Sequence, residues 1–494
     1  MHIPGLALWF SLLVAAAVLP TAPAQAATSS QQLEFSGCQI GAPDSPQHLE
    51  AKCTTLMAPE DRARPDGKKI GLHIAVLRAR AGEPAPDPLF FIAGGPGEAS
   101  TQSFVKLAPA FDDIRKSRDI VLVDQRGTGE SNALNCPAEP HTNLAPSAAE
   151  IAQQIQACLK QLPGDPRFYT TTMAVQDLDA VRQALGYREI DLYGISYGTR
   201  VALEYLREFP QQVRSVVLDG VVPADLTIGP GVSLDAQQAL NGIFARCQQD
   251  ADCHKTFPDL AKTFAKLRQT LEQHPVTVNL RDPLSGAPLT ETLTWPEVTN
   301  AVRFMSYASE TAALLPLLIH QAGAAQDYVP LMANALFFTE QINGSIALGM
   351  NAAVLCTEDV PFYKTDAATQ QTTANTYIGA MPVTQLIETC KHWPQGIIEA
   401  DFKQPVVSDK PVLLISGQDD PITPPSNAAD AARTLTNSLS IVVPGQGHGN
   451  AYRGCVPRLM AEFVAQASVK KLDTACVSKI QPFPFFTSFT GPGP

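Results

Sequence analysis

Short apolar runs, each broken off by a glycine, a proline or an aspartate, alternate along this chain with stretches of helical periodicity. The runs occupy residues 88–93, 120–123, 190–193, 216–218, 412–415 and 441–443, preceded by the alternating Ile70, Leu72, Ile74 and Val76. Continuous apolar runs of this length suit strands buried on both faces, and alternation suits a half-buried strand. Between them, Ala174, Leu178, Val181 and Leu185 recur at helical spacing, with threonines ahead as caps and Gly186 as a stop. A second helix is expected over residues 201–209, ending before Pro210. Strand followed by helix, repeated, predicts a mostly parallel sheet with helices on both faces. Loops at the carboxyl ends of such strands are where sites form.

The rhythm stops at residue 222 and resumes after residue 404. The stretch between reads as mainly helical, for example over 260–271, 312–320 and 328–338, so it is expected as an inserted cap. The 494 residues then divide into a core in two pieces, 27–221 and 405–481, with the cap 222–404 between them and a Phe-, Pro- and Gly-rich tail at 482–494. Residues 1–26 form a separate unit: an apolar run from Leu6 to Leu19, then Pro20, Pro23 and Ala24-Gln25-Ala26. This has the form of a secretory signal peptide cut after Ala26, and the run is short for a membrane span. No later stretch is long and apolar enough for stable membrane insertion, so a secreted or periplasmic protein is expected.

The cysteines agree with export. All ten lie beyond the leader, and their order suggests sequential pairs: Cys38–Cys53, Cys136–Cys158, Cys247–Cys253, Cys356–Cys390 and Cys455–Cys476. A closed loop of 15 residues is worth about 3 kcal/mol in the chain-entropy account. No Cys-x-x-Cys or matching Cys/His spacing is present, so no metal site is expected. The net charge is −12 with no basic cluster. Nucleic-acid binding needs Lys and Arg to replace phosphate counterions, so no nucleic-acid partner is expected. Nothing in the sequence sets an oligomeric state.

One motif carries the chemistry. Gly194-Ile195-Ser196-Tyr197-Gly198 has the form G-x-S-x-G and falls between an expected strand and an expected helix. Glycines allow the sharp turn that lifts the Ser196 hydroxyl out of the sheet. A hydroxyl is a poor nucleophile until a base takes its proton. In this architecture the partners follow in the order serine, acid, histidine. His448, in Gly445-Gln446-Gly447-His448-Gly449, follows the last strand and is the candidate base; His254, His274, His320 and His392 do not sit just past a core strand. The acid is expected at Asp420, after the preceding strand, with the neighbouring Asp419 and the earlier Asp219 as rivals. Its role is to hold the imidazole tautomer and stabilise the imidazolium. Backbone N–H groups of Tyr197 and of Gly95, in Ala93-Gly94-Gly95-Pro96-Gly97, are expected to form an oxyanion hole.

Gly94-Gly95-Pro96-Gly97, Asp124-Gln125-Arg126-Gly127-Thr128-Gly129-Glu130-Ser131, the Ser196 pentapeptide and Asp420-Pro421-Ile422-Thr423-Pro424 together resemble the proline iminopeptidase and secreted tripeptidyl aminopeptidase family of α/β-hydrolases. The resemblance covers nearly the whole mature chain, with one departure: Ala93 stands where the family often has histidine. It implies the α/β-hydrolase fold and a triad of Ser196, Asp420 and His448, with Gly95 and Tyr197 as oxyanion donors. It also implies hydrolysis of peptide bonds near a free amino terminus, with no metal or organic cofactor. Asp124 and Arg126 are expected to order a loop beneath the site. A buried ammonium needs a paired carboxylate. Glu358 and Asp359 are candidates for that role, on a loop steadied by a disulfide at Cys356. Two other functions remain open: a secreted carboxylesterase or lipase-like enzyme with the same triad, and a catalytically inactive binding module.

Overall fold

The computed structural model describes residues 1–2, 33–42, 45–136, 144–364 and 367–492. Apart from its first two residues, the expected leader lies outside the described residues. The chain from Leu33 onward forms one compact unit. Its strands are β1 (Ser36–Ile40), β2 (Leu49–Pro59), β3 (Lys69–Leu77), β4 (Leu89–Ile92), β5 (Ile120–Val123), β6 (Ile190–Ile195), β7 (Val213–Asp219), β8 (Val276–Arg281), β9 (Pro288–Leu293), β10 (Val412–Gly417) and β11 (Ser438–Val443), with a short pair, β12 (Phe486–Ser488) and β13 (Gly491–Pro492), in the tail.

Nine of these make one sheet, in the order β1-β2-β3-β5-β4-β6-β7-β10-β11. From β5 to β11 every neighbouring pair is parallel, and β1, β2 and β3 add an antiparallel edge. Each parallel strand is built around one of the short apolar runs, interrupted in β6 by Asp191 and flanked in β7 and β11 by polar residues. Successive side chains point to opposite faces. Phe90, Val121, Leu192, Val216 and Leu414 enter one apolar core. Their sequence neighbours Phe91, Leu122, Tyr193, Val217 and Leu413 enter the other. Helices Thr171–Ala184 and Tyr197–Glu208 supply Val175, Val181, Val201 and Tyr205 to the first core. Helices Ser100–Leu107 and Val456–Gln466 supply Phe104, Leu459 and Phe463 to the second. Thr170 caps the first of these helices, its side chain accepting from the Met173 N–H. The chain is thus an α/β-hydrolase fold, with every expected core strand present.

Of the antiparallel edge, β3 carries the expected alternation of Ile70, Leu72, Ile74 and Val76, whereas β1 and β2 were not among the expected strands. In β2 the buried and exposed positions only partly alternate, and its Lys, Glu and Thr content hides the pattern. Cys38–Cys53 ties β1 to β2. All five sequential cysteine pairs are closed in the structure.

The insertion divides into two parts. Helices Val232–Gln249, Leu260–Gln273, Trp295–Met305, Leu315–Gly323 and Val329–Ser345 pack with the hairpin β8–β9 around Leu240, Phe264, Trp295, Met305 and Leu331, an apolar cluster of their own. The following helices, Leu348–Glu358 and Met381–His392, turn back onto the sheet. Met350, Val354, Cys356 and Cys390 join the same core as Tyr197 and Val201. The tail is not detached: Phe485 belongs to the cap cluster, and the Phe486 N–H donates to the Ala313 carbonyl at 3.1 Å. Among the described residues, no helix is long and apolar enough to cross a membrane.

Candidate active site

Strand β6 runs straight into Ser196, and helix Tyr197–Glu208 starts at the next residue. Ser196 has φ 56° and ψ −128°, a conformation that L-residues rarely adopt and that clusters at functional sites. The surroundings enforce it. A Cβ on Gly194 would stand 2.3 Å from the Gly198 carbonyl oxygen, and one on Gly198 would stand 2.4 Å from that of Ile92. Only glycines let the elbow close this tightly against β4. The first N–H groups of a helix have no intrahelical acceptor, so the Tyr197 N–H is free to meet a developing oxyanion. The register of β4 on β6 pairs Ile92 with Gly194, which carries Gly94 and Gly95 alongside Ser196. A Cβ on Gly94 would stand 3.0 Å from that of Ser196.

The two partners expected late in the chain lie at the same edge of the sheet. Asp420 follows β10 and His448 follows β11, with Nδ1 of the imidazole 2.8 Å from Asp420 Oδ2. The carboxylate is fully buried and well held. Its Oδ1 accepts from the N–H groups of Ile422 and Thr423, and its Oδ2 from the Thr423 hydroxyl at 2.8 Å. Thr423 Oγ1 is also 3.0 Å from His448 Nδ1. With Nδ1–H donating to Asp420, the other ring nitrogen is left as an acceptor. Burial pulls the His448 pKa down. The charge and hydrogen bond of Asp420 outweigh that, with Asp219 and Glu98 adding, so it sits above its ordinary value.

The rival acids are accounted for elsewhere. Asp219, at the end of β7, accepts from the N–H groups of Asn450 and Ala451 at 2.8–2.9 Å and from the Tyr193 hydroxyl at 2.9 Å. Its main-chain oxygen takes the Ser196 N–H at 2.9 Å. One residue therefore ties the serine turn to the histidine loop. Burial pushes its pKa up to about 6. Asp419 pairs with Arg246 on the cap helix Val232–Gln249. The cap also reaches His448: its N–H donates to the Tyr307 carbonyl at 2.7 Å, and the two rings meet edge to face at 5.1 Å.

Below the serine turn lies a buried polar chain. Gln125 donates to the Tyr197 hydroxyl at 3.1 Å, and that hydroxyl is 2.7 Å from Thr171 Oγ1. Thr171 donates to both oxygens of Glu358, from its N–H at 2.6 Å and its hydroxyl at 2.7 Å. Glu358 is wholly buried, and burial pushes its pKa up to about 7 against the pull of Arg200 and Thr171. Asp359 is equally buried in a bidentate pair with Arg200 at 2.8 and 2.9 Å, with Lys403 at 3.0 Å. The expectation that Glu358 receives a substrate ammonium is therefore corrected. It has no exposed surface and both oxygens are taken, so it braces the elbow from beneath. Asp124 and Arg126 do order their loop: Asp124 accepts from Thr101 and the Glu130 N–H, and Arg126 clamps Asp177 at 2.6 and 2.7 Å.

Sequence reasoning missed Thr423, Tyr307 and the tying role of Asp219. Thr423 had a signal, since it stands in the same turn as Asp420. Tyr307 had none, because its contact is made across the insertion.

A family model for the alpha/beta hydrolase fold matches residues 87–452. The chain belongs to the alpha/beta hydrolase family. Serine protease Hip1 of Mycobacterium tuberculosis is 25% identical over 492 residues, covering 90% of this chain and 91% of that one. Carboxylesterase B of the same organism is 25% identical over 478 residues, covering 90% of each. Tripeptidyl aminopeptidase of Streptomyces lividans is 26% identical over 251 residues, 46% of this chain and 47% of that one. Within the family, this chain is a serine hydrolase.

Proposed function

We propose that the chain is an exported serine aminopeptidase, hydrolysing peptide bonds near a free amino terminus through Ser196, His448 and Asp420. The observation that carries this reading is the Asp420–His448 hydrogen bond of 2.8 Å at the sheet edge where Ser196 stands on its strained turn. His448 takes the Ser196 proton as the hydroxyl attacks the peptide carbonyl, and Asp420 stabilises the imidazolium so formed. The N–H groups of Gly95 and Tyr197 take up the charge on the carbonyl oxygen. The imidazolium then gives its proton to the leaving amine. Water activated by His448 releases the acyl group. Peptide substrates are favoured by the relatives named serine protease and tripeptidyl aminopeptidase. Export is favoured by the five disulfides, with residues 1–26 as the signal.

A carboxylesterase is the second reading, favoured by the relative of that name. Hydrolysis of free-amine peptide amides, their N-blocked forms and simple esters separates the two. An aminopeptidase prefers the free amine by a wide margin; equal cleavage of blocked and free peptides sinks the proposal. A fluorophosphonate should label Ser196 in the wild type and not in Ser196→Ala. Absence of wild-type labelling would favour an inactive binding module.

A further inference from the structure

One carboxylate in the cleft has no part in the steps above. Glu98 follows Gly94-Gly95-Pro96-Gly97 and is half-buried. Its Oε2 accepts from the Gly94 N–H at 3.3 Å and the Ser103 hydroxyl at 3.2 Å. The point where a Cβ on Gly94 would stand is 3.0 Å from Ser196 Cβ and 3.6 Å from that same Glu98 oxygen. Carboxylate and hydroxyl thus flank a single glycine. The backbone of Glu98 forms an isolated antiparallel bridge with Ile346 of the insertion, so the residue stands where core meets cap. Among the described residues its second oxygen has no hydrogen-bond partner, and no lysine or arginine forms an ion pair with it. Burial raises its pKa against the hydrogen bonds from Ser103 and Gly94. His448 and Lys106 act on this carboxylate only at longer range, so a substrate ammonium would be its first direct ionic partner.

We propose that Glu98 receives the α-ammonium of the substrate's first residue and so sets the demand for a free amino terminus. The assignment rests on the aminopeptidase reading and refines it, because the position of this carboxylate also measures the acyl group. In a one-residue acyl group the ammonium is two bonds from the carbonyl carbon under attack. Each further residue of extended chain adds about 3.3–3.6 Å. A three-residue acyl group would therefore carry its ammonium about 7 Å farther away. A carboxylate that shares Gly94 with the nucleophile fits the shorter case, so single residues are released.

Glu98→Gln tests this, since glutamine keeps an acceptor for the Gly94 N–H while removing the charge. The probes are a panel of aminoacyl 4-nitroanilides and their N-acetyl forms, with fluorophosphonate labelling of Ser196 as the check that the site is intact. In Glu98→Gln, labelling should persist while the preference for the free amine falls about 10- to 100-fold, carried mainly by KM. A discriminating wild type whose Glu98→Gln variant still discriminates overturns the assignment alone. So does loss of discrimination in Asp235→Asn instead, since Asp235 is a second half-buried carboxylate, on the cap and near Asp420. A wild type that cleaves free and blocked probes equally removes the aminopeptidase reading, and this assignment with it. Mass spectrometry of digested free peptides should show single residues; tripeptides as the only product would overturn it.

Discussion

The ends of β7 and β10 invite comparison. The strands are neighbours and parallel, both end at the same edge of the sheet, and an aspartate follows or closes each. At β7, Asp219 accepts three N–H contacts from the histidine loop and a tyrosine hydroxyl. At β10, Asp420 accepts the imidazole itself. Two carboxylates of one type, a strand apart, are thus divided between building the loop and orienting the ring upon it. Burial does not separate them, since both are buried; the identity of the donor does.

The comparison is broken most directly at Asp420. Asp420→Asn keeps an oxygen for the Ile422 and Thr423 N–H groups but no longer fixes the imidazole tautomer. The kcat should fall by about 10⁴, as for the equivalent change in the trypsin triad, with unfolding free energy changed by less than about 1 kcal/mol. Steady-state kinetics and urea denaturation with disulfides intact give both values. A loss in kcat below about tenfold would return the acid's role to Asp219.

Asp219→Ala should do the reverse, chiefly costing stability. The Asn450 and Ala451 N–H groups lose their acceptor, at about 2–4 kcal/mol together. An unchanged denaturation midpoint would mean the loop holds itself.

A smaller effect is expected in the pH profile. The proposed mechanism needs neutral His448, whose pKa Asp420 holds above its ordinary value. The acid limb of kcat/KM should therefore lie above about pH 6.5. In Asp420→Asn, burial is left to act with less opposition, so the limb should move to lower pH. A limb that stays in place would mean it reports another group.

The smallest effect belongs to Asp419. It is adjacent in sequence but paired to Arg246 on the cap. Asp419→Asn should change kcat by less than about threefold, in line with the modest worth of partly exposed ion pairs. A large loss would show that the cap contact, and not the imidazole contact alone, sets the position of Asp420.

Much of this was legible in the sequence because it is local. The buried strands announce themselves as apolar runs, and the serine turn by two glycines that nothing else could replace. The order of Ser196, Asp420 and His448 follows from which strand each one ends. The edge strands β1 and β2 were hidden because a sheet edge tolerates polar residues. Glu358 was misjudged for a different reason. Its sequence neighbourhood, two acids beside a cysteine and ahead of a proline, reads as a loop open to substrate, yet Glu358 ends a helix that folds back under the elbow, where Thr171 and Arg200 wait. Long-range placement of that kind has no periodicity to betray it. Tyr307 is the same case from the other side of the cleft.

The hydrogen bond from His448 to Tyr307 has a mechanical corollary. The base hangs partly from a carbonyl of the insertion, so an excursion of that lobe wide enough to break the bond also slackens the loop bearing the imidazole. In the proposed mechanism, a change that withdrew the Tyr307 carbonyl would therefore be felt at the base without touching the imidazole itself.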